Sequence, residues 1–231
     1  MPVGVLIDAG AVLIGCIAGG LMGKFISEKI RQALTNIFGL SAIMMGITLI
    51  VQVKSLSAVI LAMILGTLAG ELMNLESGLT GLLKRAEQKL PGDAVSKEQM
   101  DHLISMVVLF GFSGTGIFGA LVSGINGDHS ILIAKSVLDF FTAVIFGSII
   151  GYLLMVVVIP QFCIGTILFL AATILMPLIN ETMLCDFKAC GGLVTLAVGL
   201  KISGIKTYRV LNLLPAFILI LPLSYLWMQI M

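Results

Sequence analysis

Eight apolar stretches of similar length follow one another along this chain, at about 3–23, 34–53, 56–75, 102–125, 131–155, 157–179, 188–205 and 210–229. Each is close to the roughly 20 residues a helix needs to cross the hydrocarbon of a bilayer. In lipid every backbone N–H and C=O must be satisfied inside the protein, so only helices and closed barrels can span. The stretches are continuous rather than alternating, which argues against a barrel. The expected fold is an all-α polytopic transmembrane bundle of about eight spans. Composition agrees: of 231 residues, 59% are hydrophobic and only 11% charged, against about 25% charged in a soluble domain. That is too little polar surface for a soluble enzyme or a nucleic-acid binder, so the lipid bilayer is the expected surrounding. Met1-Pro2-Val3-Gly4 carries no basic n-region, so the first stretch reads as a span and not as a signal peptide.

Orientation follows from the placement of lysine and arginine, which accumulate on the cytoplasmic side. Alternate loops hold Lys24, Lys29 and Arg31, then Lys84, Arg85, Lys89 and Lys97, then Lys201, Lys206 and Arg209; the opposite side holds only Lys54, Lys135 and Lys188. The ten should be cytoplasmic. With eight spans both termini then lie outside, and the loop at about 76–100 lies inside. Within that loop Leu79, Leu82, Leu83, Ala86 and Leu90 recur at helical spacing between charges, the pattern of a short amphipathic helix on the membrane surface. Trp227, with Tyr225 nearby, fits an interfacial anchor. Cys16, Cys163, Cys185 and Cys190 show no zinc-ligand spacing and are expected as free thiols; a Cys185–Cys190 bridge would need an oxidising compartment.

The chain repeats itself. Ile37-Phe38-Gly39 and Ile117-Phe118-Gly119 open two similar stretches. At an offset of 81, Lys54-Ser55, Ala62, Ile64, Gly66 and Gly70 match Lys135-Ser136, Ala143, Ile145, Gly147 and Gly151. A weaker third match sets Gly192-Leu193 and Gly199 against Gly39-Leu40 and Gly46. Taken together these suggest segments 1–75, 101–155 and 156–231 around the loop 76–100, with the first and last three helices as inverted repeats, an arrangement that recurs in secondary transporters. Glycines at 15, 19 and 23, at 66 and 70, and at 147 and 151 mark helix faces for close packing. Eight helices have limited interior to cover all these faces, so a homodimer is expected.

Polar residues inside apolar stretches narrow the search for a site. Asp139 lies roughly 12 Å into its helix, where a carboxylate must be paired, protonated or turned into the bundle. Lys135 is at i−4 on the same face. The pair is either a structural ion pair or a contact for an ion, proton or substrate. Phe110-Gly111-Phe112-Ser113-Gly114-Thr115-Gly116 is hard to keep as an unbroken lipid-facing helix, and irregular backbone at membrane depth belongs beside a cavity or inside protein. Ser113 and Thr115 are therefore candidate oxygen ligands. Asn126 and Asp128, in the turn before the fifth span, can cap that helix or serve the site. Glu71 and Gln161 complete the candidates, and Asp8 reads as interfacial. There is no GKS or GKT after the glycines and no HExxH, so no cofactor or catalytic constellation is expected, and a metal is left open.

The run Gly124-Ile125-Asn126-Gly127-Asp128, Leu132, Lys135-Ser136, Leu138-Asp139 and Gly147 to Gly151 resembles the YqgA/YdfK-like family of multipass bacterial inner-membrane proteins. The opening helix with Gly15 and Gly19, Gly39-Leu40, Gly46 and Gln161 extends the resemblance along the chain. It implies a bacterial cytoplasmic membrane and points towards transport without naming a substrate. Phe140 stands where the family pattern has a small residue, which narrows any cavity there. The expected function is a small secondary transporter or ion-conducting protein for a small ion or solute, with its site where the broken fourth helix meets the fifth. The alternative is a non-transporting scaffold or sensor acting through the cytoplasmic loop. An intramembrane enzyme would need a second activated group beside Asp139, and none is visible.

The orientation is testable. In a cysteine-free background, Asp93→Cys and Asp128→Cys should react with an impermeant thiol reagent from opposite faces of the membrane. Labelling from one face only would contradict the expected span count.

Overall fold

The computed structural model describes residues 1–23, 25, 27–87 and 96–230. Among these residues there are helices and turns but no strand. Ten α-helices follow in order: α1 (Val3–Met22), α2 (Glu28–Ile50), α3 (Leu56–Met73), α4 (Leu75–Glu87), α5 (Lys97–Gly111), α6 (Gly114–Asn126), α7 (Ser130–Ile150), α8 (Val158–Leu175), α9 (Glu181–Ile202) and α10 (Ala216–Ile230). The protein is a helical membrane bundle. Seven stretches among the described residues are long and apolar enough to cross a bilayer. One of them, Ser130–Ile174, runs for 45 residues, about twice what one crossing needs. It is divided at Gly151, whose φ of 75° and ψ of −156° belong to a region that only glycine adopts readily. A 3₁₀ segment, Gly151–Val157, then leads into α8. Packing against α1 shows the reversal: α7 runs parallel to α1, with Gly15 against Phe140 and Ala143 and Gly19 against Val144 and Gly147, whereas α8 runs antiparallel, with Asp8 at Gln161 and Val5 at Gly165. The eight-span reading is thereby met by folding one long stretch back on itself.

The chain falls into two compact units, Met1–Phe38 with Leu79–Thr173, and Gly39–Gly78 with Ile174–Met231. These interleave along the sequence and are not the consecutive segments 1–75, 101–155 and 156–231 that the repeats suggested.

In the first unit the α1–α7 contact is backbone on backbone. A Cβ added at Gly15 would sit 2.6 Å from the Phe140 carbonyl, one at Gly147 3.0 Å from the Cys16 carbonyl, and one at Gly23 3.0 Å from the Ser148 carbonyl. Small residues at helical spacing allow this approach, which matters in lipid because no hydrophobic drive pulls helices together there. Phe38 and His102 pack on the ring of Phe146. The second unit uses the same device. Gly66 abuts Ala216 and Gly70 abuts Asn212, so α3 runs antiparallel to the segment that includes α10. A Cβ at Gly46 would sit 2.7 Å from the Gly192 carbonyl, and one at Gly199 2.8 Å from the Gly39 carbonyl. α2 and α9 are antiparallel partners, and two glycines two turns apart on each let them touch twice. The packed glycines of α1, α3 and α7 meet partners within the chain. Gly151 does not pack; it breaks the helix.

Of the residues matched in the first repeat, Lys54 and Ser55 reach a buried aspartate through their backbone N–H groups and Lys135 reaches one through its side chain. In the second unit this is Asp186, fully buried, which accepts from Lys54 N at 2.9 Å, Ser55 N at 2.7 Å and Ser224 Oγ at 2.6 Å. It serves the N-terminus of α3, where free N–H groups and the positive helix end favour a carboxylate. In the first unit the aspartate is Asp8. The helix α4 occupies the start of the loop expected to be amphipathic; the side chains of Leu79, Leu82, Leu83, Lys84 and Ala86, and residues 88–95 with Lys89 and Leu90, lie outside the described residues. All four cysteines are free, and the Cys190 thiol donates to Met63 Sδ at 3.6 Å.

Gly19→Leu should push α1 off the α7 backbone and destabilise the protein by about 1–3 kcal/mol or more. Gly10→Leu on the same helix is the control, since an added Cβ there meets nothing within 4 Å. Thermal unfolding in detergent should separate the two; equal midpoints would reject the packing account.

Candidate functional site

The fourth span is broken as its glycines suggested. Helix α5 stops at Gly111, Phe112 leaves the helical region, and Ser113 turns extended at φ −68° and ψ 136°. Ser113 Oγ then accepts from Gly116 N at 3.1 Å and caps α6. Two helix ends thus meet inside the first unit, and the aliphatic stem of Lys135 lies against Gly116.

Lys135 is the hub of a buried polar cluster. Its Nζ donates to Asp8 Oδ2 at 2.9 Å and to Asp139 Oδ2. Gln161 Nε2 donates to the same two oxygens, at 2.9 Å to Asp8 and 3.3 Å to Asp139. One ammonium and one amide therefore bridge two carboxylates, and all four residues are between 4% and 8% exposed. Each comes from a helix held by the contacts described above. The α1–α7 glycine seam brings Asp8 to the i, i+4 pair on α7, and α8 returns antiparallel to add Gln161. Asp139 is near the middle of the 21-residue α7, about 14 Å along it. Among the described residues, Asp8 Oδ1 and Gln161 Oε1 are buried without a hydrogen-bond partner. A cavity of about 20 Å³ adjoins Asp8, walled also by Phe110 and Gly111 of α5, Gly116 and Ile117 of α6, Leu132 of α7 and Gly165 of α8.

Of the residues singled out from sequence, Asp139, Lys135 and Gln161 come together here. Ser113 lies beside the Lys135 stem, but its hydroxyl is used as a cap. Thr115, half-buried on the first turn of α6, stands outside the hydrogen-bonded set. Asp128 is exposed and accepts from Ser130 N at 2.9 Å, a hydrogen bond that holds its carboxyl below the usual range. It shapes the turn into α7, which Ser123 Oγ and His129 Nδ1, 2.6 Å apart, also brace. The side chain of Asn126 lies outside the described residues. Glu71 belongs to the second unit, where Arg209 Nη1 donates to it at 2.8 Å in a partly exposed pair. Asp8, read as interfacial, is instead central to the cluster. The available signal was a carboxylate six residues into an otherwise apolar helix, with no partner on its own helix.

The third charge changes the expected response to mutation. Lys135→Met leaves two buried carboxylates uncompensated and should cost about 3–5 kcal/mol. Asp139→Asn leaves one ammonium facing one carboxylate and should be neutral or stabilising. Thermal unfolding of the two variants in detergent checks this order, and the reverse order would show that Lys135 is not the compensating charge.

The chain matches, over residues 3–225, the family described as "Protein of unknown function (DUF554)". It is 43% identical to the "Uncharacterized protein YqgA" of Escherichia coli (strain K12), covering 98% of both chains. It is 26% identical to the "Uncharacterized membrane protein YdfK" of Bacillus subtilis (strain 168), covering 94% of this chain and 93% of that one. No solved structure matches. A full-length match of this kind, with the broken span and the charged helices inside the matched region, makes the chain a member of the DUF554 family of membrane proteins.

Proposed function

We propose that this protein is a small secondary transporter or ion-conducting protein of the bacterial cytoplasmic membrane, with both termini outside, and not an enzyme. The observation that carries the reading is the meeting of a discontinuous span, α5–α6, with a buried charged cluster on α1, α7 and α8. Charged groups inside a membrane are costly and tend to mark ion or substrate paths. Broken helices at membrane depth recur where transporters hold their cargo. A purely structural role is a weaker account, because a structural ion pair gains from complete satisfaction, and here two acceptor oxygens have no donor among the described residues. The scaffold reading places function in the loop around α4 and gives no reason to keep four polar side chains in the bundle.

Reconstitution into proteoliposomes tests the proposal. Flux of small cations and protons should be screened first, since the buried carboxylates favour positive cargo. Asp139→Asn should lower any such flux by at least tenfold while leaving thermal stability intact. A folded Asp139→Asn protein with undiminished flux would remove the cluster from the pathway.

A further inference from the structure

The hydrogen bonds of the buried cluster are one proton short of complete. Lys135 and Gln161 each donate to Asp8 and to Asp139, and all four donations end on the two Oδ2 atoms. Asp8 Oδ1 and Gln161 Oε1 are left over, both buried and without a donor among the described residues. Asp8 is 4% exposed and Gln161 5%. Turning the amide over would not help, because Oε1 would then face the same two carboxylates.

The two leftover oxygens belong to groups that already touch. Gln161 Nε2 donates to Asp8 Oδ2 at 2.9 Å. A carboxylic acid and a primary amide can pair through two hydrogen bonds, amide N–H to acid carbonyl and acid O–H to amide carbonyl. The first is present. The second needs one proton on Asp8 Oδ1, which turns that oxygen from acceptor into donor and gives Gln161 Oε1 its partner. A proton on Asp139 would leave both oxygens as they are. Two carboxylates sharing the same donors also disfavour each other's charge, so that one of them tends to hold a proton. The result is a Lys135–Asp139 ion pair beside a neutral acid.

The cavity at the α5–α6 break fits this state. Asp8 is the one polar side chain in its wall, among glycines and apolar residues such as Val5, Phe110, Ile117 and Leu168. Such a wall offers an ion no ligands but suits an uncharged acid. The cavity is partly open, and its 20 Å³ has room for about one water, enough to deliver or remove a proton. Other ionisable groups stand further off. His129 lies beside Gly4, one turn before Asp8, and its Nδ1 is engaged with Ser123. Cys16 is two turns along α1, and Tyr152 packs on Gly20 further still. On α5, Lys97, Glu98, Asp101 and His102 occupy the first two turns, whereas Asp8 adjoins its last; α6 carries no ionisable side chain, and α8 only the exposed Cys163.

Resting on the transport reading above, we infer that the Asp8–Asp139 pair binds one exchangeable proton, seated on Asp8 Oδ1 against Gln161 Oε1, and that this proton is the ion the site moves. Asp186 in the second unit shows the contrast. That carboxylate receives three donors, two of them backbone N–H groups at a helix start, and needs no proton.

The test is the infrared spectrum of the full chain at neutral pH, in a detergent without carbonyl groups. A protonated-carboxyl carbonyl band should be present and should shift on transfer to D2O. Asp8→Asn should remove it, because the new amide takes the place of the acid and Asp139 stays as the counter-ion of Lys135. The same variant should keep the wild-type thermal midpoint. Gln161→Leu should keep the band but move it to higher wavenumber, since the acid loses both bonds to the amide; this variant carries the test if Asp8→Asn does not fold. Absence of the band in the wild type would mean two ionised carboxylates with water at the leftover oxygens, and would overturn the inference. So would a band that survives Asp8→Asn, one that ignores Gln161→Leu, or one that ignores D2O. Flux is read separately, with a pH-sensitive dye inside proteoliposomes under an imposed pH gradient; the wild type should move protons and Asp8→Asn should not. The acid band without proton flux keeps the proton site and rejects transport, and flux of another ion without the acid band does the reverse.

Discussion

The contact between α1 and α7 decides what the first unit can be. Gly15, Gly19 and Gly147 let two helices touch backbone to backbone, and in lipid this close packing replaces the hydrophobic drive that holds soluble cores. The parallel course it imposes also sets the chemistry. With the seam in place, Asp8 on one helix falls level with Lys135 and Asp139 on the other. Out of that register Asp8 would lose the Lys135 ammonium, at a cost of several kcal/mol. Packing and electrostatics thus select the same register.

Gly151 is the second determinant. Its backbone conformation ends α7 and lets α8 turn back along α1, which carries Gln161 to the cluster. The amide bonds both carboxylates without adding charge. The break at Phe112 and Ser113 supplies the opening beside them, because a continuous fourth helix would fill the space with its own turn. Site and cavity are therefore products of three local departures from ideal helix: a glycine seam, a glycine reversal and a capped break.

Much of this was legible in the sequence. Apolar length gave the helical membrane class, and the glycine-rich run 111–116 gave the broken span. The i, i+4 rule joined Lys135 to Asp139, since both lie on one helix. The rest was hidden for a physical reason. Asp8 is 127 residues from Lys135 and 153 from Gln161, and no periodicity links residues on different helices. Asp8 alone looks like an interfacial carboxylate near a helix end. The matched spacing of Gly39 and Gly46 with Gly192 and Gly199 marks packing partners, and a sequence shows the spacing without the direction.

The sequence by itself determined that the chain lives in lipid, which segments are helical, where the fourth span fails, and that a lysine and an aspartate share a face of α7. These follow from hydrophobicity and from helix geometry, which act over a few turns. Tertiary structure decided that the compact units interleave along the chain, that the 45-residue stretch folds back, and that Lys135 faces two carboxylates. These depend on which helices touch and in which register, and that is settled by close packing at glycines and by the cost of an unpaired charge in hydrocarbon.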